Sequence, residues 1–416
     1  MKIVRFSYID ALVSWLFVYF SSKLLWDTVP FIFELATLAV FAFCAISLVH
    51  SKPAVNLHRI NLFITFLIFS FYVIANGILK DTFPQFARSL YEYIFYILIL
   101  FAMMWLLPRA DIQKCVKVYA LFGLLIAVLS WWEFLTKSYL IADAVENYAG
   151  FRAMVFTRSY LSHGMILGLF SLGCMDISYR ERKPLWFLAG VFCFISILTT
   201  SSRGPLVACG VALVFQFMMN AFISRRHSLK RLIACTILFA GAMAVFILMF
   251  GTFETPNETI NNFLRRIRSI FNWTGDAGNV GRLLLWRQAF GWFKTNIWFG
   301  IGPSKTGSWG NGSIGVTESG VLKRFVELGI IGAVCFYYFI GCILLKGIRA
   351  YGKQTDYSKR QLVFWFSLVI AILINDIILQ STEEIMVSFY FWTAFAGIEC
   401  ASNPIICSQG DTNHAP

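Results

Sequence analysis

Twelve long apolar segments dominate this 416-residue chain, and they limit what it can fold into. A helix that crosses a lipid bilayer needs about 20 mainly apolar residues. Charged residues make up only 14% of the chain, whereas a soluble domain carries about 25%. The sequence therefore predicts an all-α polytopic membrane protein with about 12 transmembrane helices. The predicted spans are residues 8–26, 29–49, 60–79, 86–107, 115–135, 160–176, 185–200, 205–223, 231–250, 327–345, 361–380 and 384–401.

The basic residues between these spans predict their orientation. If the N-terminus lies in the cytoplasm, the cytoplasmic segments hold 19 Lys and Arg residues and the short loops on the other side hold seven. Short cytoplasmic loops of membrane proteins are enriched in Lys and Arg. Both termini are therefore expected in the cytoplasm, and the longest loop is expected on the outer face.

The spans divide the chain into four predicted parts. Residues 1–250 form a transmembrane bundle of about nine helices, and residues 251–325 form one large helical periplasmic loop between helices 9 and 10. Residues 326–402 hold transmembrane helices 10–12, and residues 403–416 form a cytoplasmic tail. The loop holds nine of the 35 Lys and Arg residues, which makes it the candidate catalytic part. A solvated cap without chemistry is the plainer alternative.

Two helices are predicted inside this loop. The first, near residues 255–270, has apolar residues at three- and four-residue spacing and a basic flank, so it is either an interfacial anchor or a substrate contact. The second begins after Asn279 and ends near Asn296, before a glycine break at residues 300–303. The glycine-rich piece at residues 307–313 is interpreted as a lid or an acceptor groove.

Two arginines are candidate ligands for an anion. Arg282 falls in the first turn of the second loop helix, close to unpaired backbone N–H groups that favour phosphate oxygens. Arg203 lies in a tight outer turn that Gly204 and Pro205 fix. Snorkelling of the long side chain to the membrane surface is the alternative explanation for Arg203.

Two carboxylates lie where the outer loop enters the membrane. Glu318 and Glu327 are costly at this place unless they are paired or face a wet cavity. The structural alternative to a chemical role is that Lys323 and Arg324 neutralise both acids.

Four motifs occur in a fixed order along the chain. They are Ser202-Arg203-Gly204, then Gly281-Arg282 with Trp286, then Gly300-Ile301-Gly302-Pro303, then a run from Glu318 that ends in Glu327-Leu328-Gly329. Together they resemble the O-antigen polymerase/ligase superfamily, the Wzy/WaaL-like lipid-linked glycan transferases. The resemblance covers about residues 195–345. The segment from Phe151 through Arg152 to Phe156 resembles the family more loosely.

One departure from the family pattern separates its two activities. Glu318 stands where the ligase pattern has a histidine, nine residues before Glu327. The loss of this histidine favours a polymerase, whose motif is looser there. Either side chain can serve as a general base.

The resemblance implies a glycosyltransferase of surface polysaccharide and lipopolysaccharide biosynthesis in the bacterial inner membrane. Its donor would be a glycan on undecaprenyl pyrophosphate, and its acceptor would be a sugar hydroxyl of another lipid-linked repeat unit. Membrane lipid and a chain-length regulator protein are the further expected partners. No nucleic acid and no cofactor are expected.

Arginines can replace a metal ion in this chemistry. The outer loop has few acids and no Asp-x-Asp pattern, so we expect no metal site, and positive side chains must stabilise the leaving pyrophosphate. Arg203 and Arg282 are assigned to the pyrophosphate and Glu318 to the acceptor hydroxyl as its base. The weaker substrate-binding candidates are Arg152, Arg287, Trp286 and Trp309.

Two other functions stay open at this point. An O-antigen ligase would transfer the glycan to a lipid A-core acceptor. A polysaccharide or lipid transporter is the non-enzyme alternative, although the sequence lacks the internal repeat and the paired broken spans that many transporters show.

Overall fold

The computed structural model describes residues 6–26, 37, 57–141, 151–157, 159–223, 261, 277–307 and 315–403. In chain order, its helices are α1 (Tyr8–Ser21), α2 (Lys23–Trp26), α3 (Leu57–Lys80), α4 (Phe83–Leu90), α5 (Tyr96–Leu106), α6 (Ile112–Thr136), α7 (Tyr160–Glu181), α8 (Pro184–Ser196), α9 (Arg203–Ile223), α10 (Ala277–Thr295), α11 (Gly320–Tyr351), α12 (Asp356–Ile378) and α13 (Ile385–Ala401). A π-helical turn at Tyr91–Phe95 joins α4 to α5, so that the two form one continuous rod.

Seven helical segments within the described residues are long and apolar enough to cross a membrane. Three shorter apolar helical segments accompany them, at Tyr8–Ser21, Pro184–Thr200 and Ile385–Ala401. The chain is thus an all-α polytopic membrane protein. Apart from residues 37 and 261, the predicted spans at 29–49 and 231–250 and the predicted basic helix at 255–270 lie outside the described residues.

The chain forms two compact units, each assembled from separate segments. Unit 1 comprises Met1–Pro30, Ala110–Val280 and Lys359–Ile372. Unit 2 comprises Phe31–Arg109, Gly281–Ser358 and Leu373–Pro416.

In unit 1, close packing around α7 depends on glycines. Space for a Cβ at Gly168 is filled by the side chain of Cys209 on α9, and space at Gly123 on α6 is filled by Phe170. Small residues allow membrane helices to approach closely, which strengthens their van der Waals contact. The buried middle of α7 therefore holds α6 and α9 on its two sides.

In unit 2, α11 is the central helix and packs against α3 and α13. Aromatic rings fill these contacts: Phe336 and Phe339 of α11 lie against Trp392, and Phe336 also packs on Phe69. Near its N-terminal end, α11 is interrupted at Gly329, whose φ of 66° is left-handed. This interruption positions the loop before α11, where the predicted site residues lie.

The predicted glycine break at residues 300–303 docks directly onto the interruption of α11. Backbone N–H groups of Ile301 and Gly302 donate to the carbonyls of Val326 and Glu327 at 2.9 and 3.1 Å. In return, Ile330 N–H donates to the carbonyl of Ile297 at 2.9 Å. The two glycine-containing motifs of the sequence are thus two halves of one backbone-to-backbone contact.

Candidate functional site

Arg282 and Glu318 form an ion pair in unit 2, close to the start of α11. Arg282 lies in the second turn of α10, and its Nε is 3.5 Å from Glu318 Oε2. The two side chains are 21% and 30% exposed, so the pair is open to solvent on one side. A helix is present where the second loop helix was predicted, but it begins three residues earlier, at Ala277, and ends at Thr295. The prediction that Arg282 lies in the first turn is therefore wrong.

The backbone at Glu318 explains how this carboxylate reaches Arg282. Glu318 adopts a left-handed φ of 50°, which is unusual for a residue with a side chain. Trp286 holds this conformation by donating its indole N–H to the Glu318 carbonyl at 3.2 Å. Ser319 then caps α11 through the Leu322 N–H, so the turn is fixed on both sides. Trp286 therefore positions Glu318.

An open groove of about 710 Å³ begins beside this ion pair. Arg287 and Lys294 from α10 bring positive charge to its wall, while Val321, Leu322 and Phe325 of α11 provide an apolar surface. Lys294 extends over the ring of Phe290 at 5.3 Å. The groove therefore combines an apolar surface with cations, as an anionic amphiphile requires.

Glu327 anchors the loop that contains the glycine break by accepting hydrogen bonds from it. Its two carboxylate oxygens accept hydrogen bonds from the backbone N–H of Ser304 (3.0 Å), from the N–H and hydroxyl of Thr306 (2.7 and 2.8 Å) and from the Tyr93 hydroxyl (2.5 Å). The side chain is fully buried. A buried carboxylate with four donors is satisfied, so Glu327 has a structural role.

A buried network of charges surrounds Lys323. Its ammonium group lies 2.8 Å from Glu92 and 3.2 Å from Glu383, and Arg88 bridges the same two glutamates. Arg324 pairs separately with Asp376 at 2.6 Å. The structural alternative that Lys323 and Arg324 neutralise both Glu318 and Glu327 is wrong for Glu318, because acids from α12, from the turn after it and from the rod α4–α5 pair with both cations. Lys323 does lie close enough to Glu327 to attract its charge.

One acid of this network, Glu383, lies outside the spanning helices and has a raised pKa. Glu383 is buried, and burial raises its pKa to about 7. The neighbouring carboxylates Glu92 and Glu327 contribute to this rise in pKa, while Lys323 and Arg88 oppose it. The sequence motifs did not identify Glu92, Glu383 or Asp376. An acid inside an apolar span, such as Glu92, nevertheless indicates that the acid is paired with another group.

Asp81, in the turn between α3 and α4, is a second carboxyl with a perturbed proton affinity. Burial raises its pKa to about 7, and the neighbouring Glu327 adds to the rise against the opposing charges of Lys305 and Lys80. Neither of its carboxylate oxygens has a hydrogen-bond partner. Gly302 leaves the space that this carboxylate occupies.

The other two predicted arginines, Arg203 and Arg152, belong to unit 1. Arg203 begins α9 after the turn at residues 199–202, and the buried Arg152 lies with its guanidinium 4.0 Å from the ring centre of Tyr160. The charges of Arg203 and Arg152 lie close enough to repel each other. Unit 1 therefore unites two predicted residues, and unit 2 unites Arg282, Glu318, Trp286 and Arg287. Trp309 lies outside the described residues.

Comparison with known proteins shows a family similarity over part of the chain. No curated protein matches the chain significantly. The family model described as O-antigen ligase matches residues 188–337, a stretch that includes Arg203, Arg282, Glu318 and the docked glycine motifs. Over this stretch, the chain is similar to the O-antigen polymerase and ligase superfamily.

Proposed function

We propose that the protein is a surface-polysaccharide polymerase of the bacterial inner membrane. It would transfer a glycan from undecaprenyl pyrophosphate to a sugar hydroxyl of another lipid-linked repeat unit on the periplasmic side. The observation that carries this proposal is the open groove of unit 2, which combines an apolar surface, the cations Arg287 and Lys294, and the Arg282–Glu318 ion pair beside it.

In the proposed reaction, arginines stabilise the leaving pyrophosphate. The bond between the anomeric carbon and the phosphate oxygen breaks, and its electron pair leaves on that oxygen. Arg282 is held by Glu318 at 3.5 Å before the substrate arrives, a distance that is longer than a strong charge-assisted hydrogen bond. A pyrophosphate offers more negative charge than one carboxylate, so Arg282 turns to the phosphate. Arg203 is assigned to the same pyrophosphate on the basis of the family motif.

The departure of Arg282 frees Glu318 for a second task. Its carboxylate then accepts the proton of the incoming sugar hydroxyl while the hydroxyl oxygen bonds to the anomeric carbon. The left-handed turn at Glu318 and the hydrogen bond from Trp286 fix where this carboxylate stands. Positioning of this kind is what general-base catalysis requires before any question of proton affinity.

An O-antigen ligase is the second candidate function. It is favoured by the description of the matching family and would use a lipid A-core acceptor. The polymerase is preferred because Glu318 occupies the position of the ligase histidine, as the sequence pattern indicates. The two functions share the donor and differ in the acceptor, so the identity of the glycosylated acceptor distinguishes them.

Substitution of Arg282 tests the proposal in cells. Arg282→Ala should abolish long surface polymer at an unchanged level of membrane protein, and Arg282→Lys should restore little, because a point charge cannot reproduce bidentate contact with phosphate. Arg349→Ala, which removes an exposed arginine at the other end of α11, is the matched control and should leave the polymer unchanged. Normal polymer from Arg282→Ala would disprove the assigned role. Chelation of divalent ions should leave the activity intact.

A further inference from the structure

The turn that carries Glu318 packs against the segment between α12 and α13. After the turn, Gly320 donates its backbone N–H to the carbonyl of Leu379 at 3.2 Å. Before the turn, the buried Thr317 contacts the side-chain amide of Gln380 through its hydroxyl. Glu318 is thus held between two contacts with the same short segment.

The amide of Gln380 also contacts Glu383, an acid of the buried charge network. One end of this amide is 3.1 Å from Glu383 Oε2. The other end contacts the Thr317 hydroxyl and lies 3.3 Å from the Thr317 backbone nitrogen. Gln380 therefore bridges a titratable acid and the residue that precedes Glu318.

The protonation state of Glu383 decides the direction of this amide. An ionised carboxylate only accepts hydrogen bonds, so the amide NH₂ donates to Glu383 and the amide carbonyl accepts from the N–H and the hydroxyl of Thr317. A protonated carboxyl donates, so the amide turns over and its NH₂ donates to the Thr317 hydroxyl. That hydroxyl then donates to the carbonyl of Ser319 at 3.0 Å. A cavity of about 30 Å³ borders Gln380 and Glu383 and leaves space for the amide to turn.

The surroundings of Glu383 place its titration close to neutral pH. Two cations, two carboxylates and one tyrosine hydroxyl face this residue, and they belong to Lys323, Arg88, Glu92, Glu327 and Tyr96. Burial is the main cause that raises the pKa of Glu383 to about 7. The two carboxylates contribute to this rise, whereas the two cations oppose it. Both directions of the Gln380 amide are therefore populated near neutral pH.

We infer that Gln380 and Glu383 are positioning residues for Glu318, and that they act through the backbone N–H and the hydroxyl of Thr317. With Glu383 ionised, two hydrogen bonds to the Gln380 carbonyl hold Thr317 and keep the Glu318 carboxylate in place. With Glu383 protonated, the Thr317 N–H loses this acceptor, and the turn is held less firmly. The inference rests on the proposed function only for the role of Glu318 as the base.

A fluorine label on Trp286 tests this coupling without any substrate. Trp286 donates its indole N–H to the Glu318 carbonyl, so its ring reports the state of the turn. The full-length protein is purified in detergent with 5-fluorotryptophan at its 13 tryptophan positions. Loss of one resonance in Trp286→Phe assigns the signal. In the wild type, this signal should shift with pH with a midpoint of about 7.

Two site variants should remove the shift for different reasons. In Glu383→Gln, the cations Arg88 and Lys323 attract the new carbonyl oxygen, because both contact Oε1 of Glu383. Its NH₂ group then faces Gln380 as a protonated acid does, so the signal should stay at the low-pH position of the wild type. Gln380→Met breaks the bridge, so its signal should not depend on pH although Glu383 still titrates.

Asp81→Asn is the matched control for these variants. It removes another carboxyl of unit 2 whose pKa is about 7, and the shift should remain as in the wild type. A shift that persists in either site variant, or that disappears in Asp81→Asn, would overturn the inference. If one site variant does not fold, the other decides by the same criterion.

The pH profile of glycan transfer tests whether the coupling serves the reaction. The ratio of wild-type kcat to that of Glu383→Gln should be close to one at pH 6. At pH 8 it should rise to as much as about tenfold, with KM unchanged, because one hydrogen bond that holds the turn is lost. A ratio that does not change with pH would show that the coupling has no part in catalysis. A normal shift of the Trp286 signal in a wild type that transfers no glycan would refute the proposed function instead.

Discussion

The residue on which the proposed chemistry depends most is Glu318, which is held in a strained backbone conformation beside Arg282. Strained conformations of this kind persist where the surrounding structure enforces them, and they cluster at functional sites. Here the Trp286 indole and the Ser319 cap enforce the turn. The same geometry serves a base and an ion-pair partner, so the two roles need separate tests.

Replacement of Glu318 by Gln separates these roles. Gln keeps the size of the side chain but cannot accept the hydroxyl proton, so a base role predicts a loss of roughly 10²–10⁴ in rate. Gel profiles of surface glycan should then show single repeats and little long polymer. An exchange of the two charges, with Arg at 318 and Glu at 282, serves as the control. Recovery of long chains in the exchanged pair would show that only the ion pair matters.

Asp81 gives a prediction for the dependence of stability on pH. Its pKa of about 7 in the folded protein lies above the ordinary value of 3.8, so folding favours the protonated form. Its contribution to stability is therefore complete below about pH 4 and is lost as the pH rises through 7. Asp81→Asn should raise the unfolding temperature at pH 8 and leave it unchanged at pH 4, as measured by thermal unfolding in detergent. Equal effects at both pH values would contradict the assignment.

The sequence predicts which residues form the unit 2 site better than it predicts which of them form ion pairs with each other. Arg282 and Glu318 were recognisable from a helix start and from a carboxylate at a membrane boundary. The ion pair between them could not be predicted, because 36 positions separate the two residues. The left-handed turn at Glu318 also has no glycine, the residue that would indicate such a turn in the sequence. The structural alternative that paired Lys323 with Glu318 is wrong, because Glu92 and Glu383 approach Lys323 from distant segments.

Among the structural elements, the docking of the glycine break onto the interrupted helix α11 fixes the segment that follows α10. Gly300 and Gly329 both have left-handed φ values, 67° and 66°. A Cβ on Gly329 would lie 2.5 Å from the Trp298 carbonyl carbon, and a Cβ on Gly300 would lie 2.5 Å from the Gly329 nitrogen. Backbone atoms cannot move aside as a side chain can, so neither position accepts a larger residue.

Substitution of Gly329 by Ala should therefore destabilise the protein. The left-handed conformation alone costs a residue with a Cβ roughly 1–2 kcal/mol, and the overlap with Trp298 adds to it. The unfolding temperature in detergent should fall clearly. Gly341→Ala is the control in the same helix, because no atom lies within 4 Å of its Cβ. Equal stability of the two variants would contradict the docked arrangement.

The order of motifs along the chain anticipates this contact only in part. The sequence shows the break at residues 300–303 as the end of a helix. It shows the Glu327-Leu328-Gly329 run as the place where the loop enters the membrane. Their mutual hydrogen bonds are long-range backbone contacts that no local pattern encodes. The sequence likewise indicates that Glu327 is an acid that needs a partner at the membrane boundary. It does not indicate the four hydrogen bonds that Glu327 accepts, because the donors Tyr93, Ser304 and Thr306 are distant in sequence.

On the scale of the whole molecule, the predicted topology places the groove of unit 2 outside the cytoplasm. Gly291 lines the groove, and Gly352 follows the opposite end of α11; a Cβ at either glycine meets no atom within 4 Å. Cysteines at these two positions are therefore a matched pair. Gly291→Cys should react with an impermeant thiol reagent in intact spheroplasts, and Gly352→Cys should react only after the membrane is opened. The reverse pattern would invert the topology.

The class of the whole molecule followed from composition, whereas its division into units did not. Apolar runs of about 20 residues require helices in a bilayer, because no other single segment satisfies its own backbone there. The grouping of helices depends on where a glycine on one helix leaves space for a side chain of another, as Gly168 does for Cys209. Such complementarity joins segments far apart in sequence, and hydropathy carries no information about it.

Reconstitution with a single substrate tests the central claim most directly. Purified protein in detergent would receive only a single-repeat glycan on undecaprenyl pyrophosphate, with no lipid A-core. A polymerase should produce a ladder of whole-number multiples of the repeat and release one undecaprenyl pyrophosphate for each bond formed, and Arg282→Ala should produce neither. Absence of a ladder, with transfer appearing only after lipid A-core is added, would contradict the polymerase and establish a ligase.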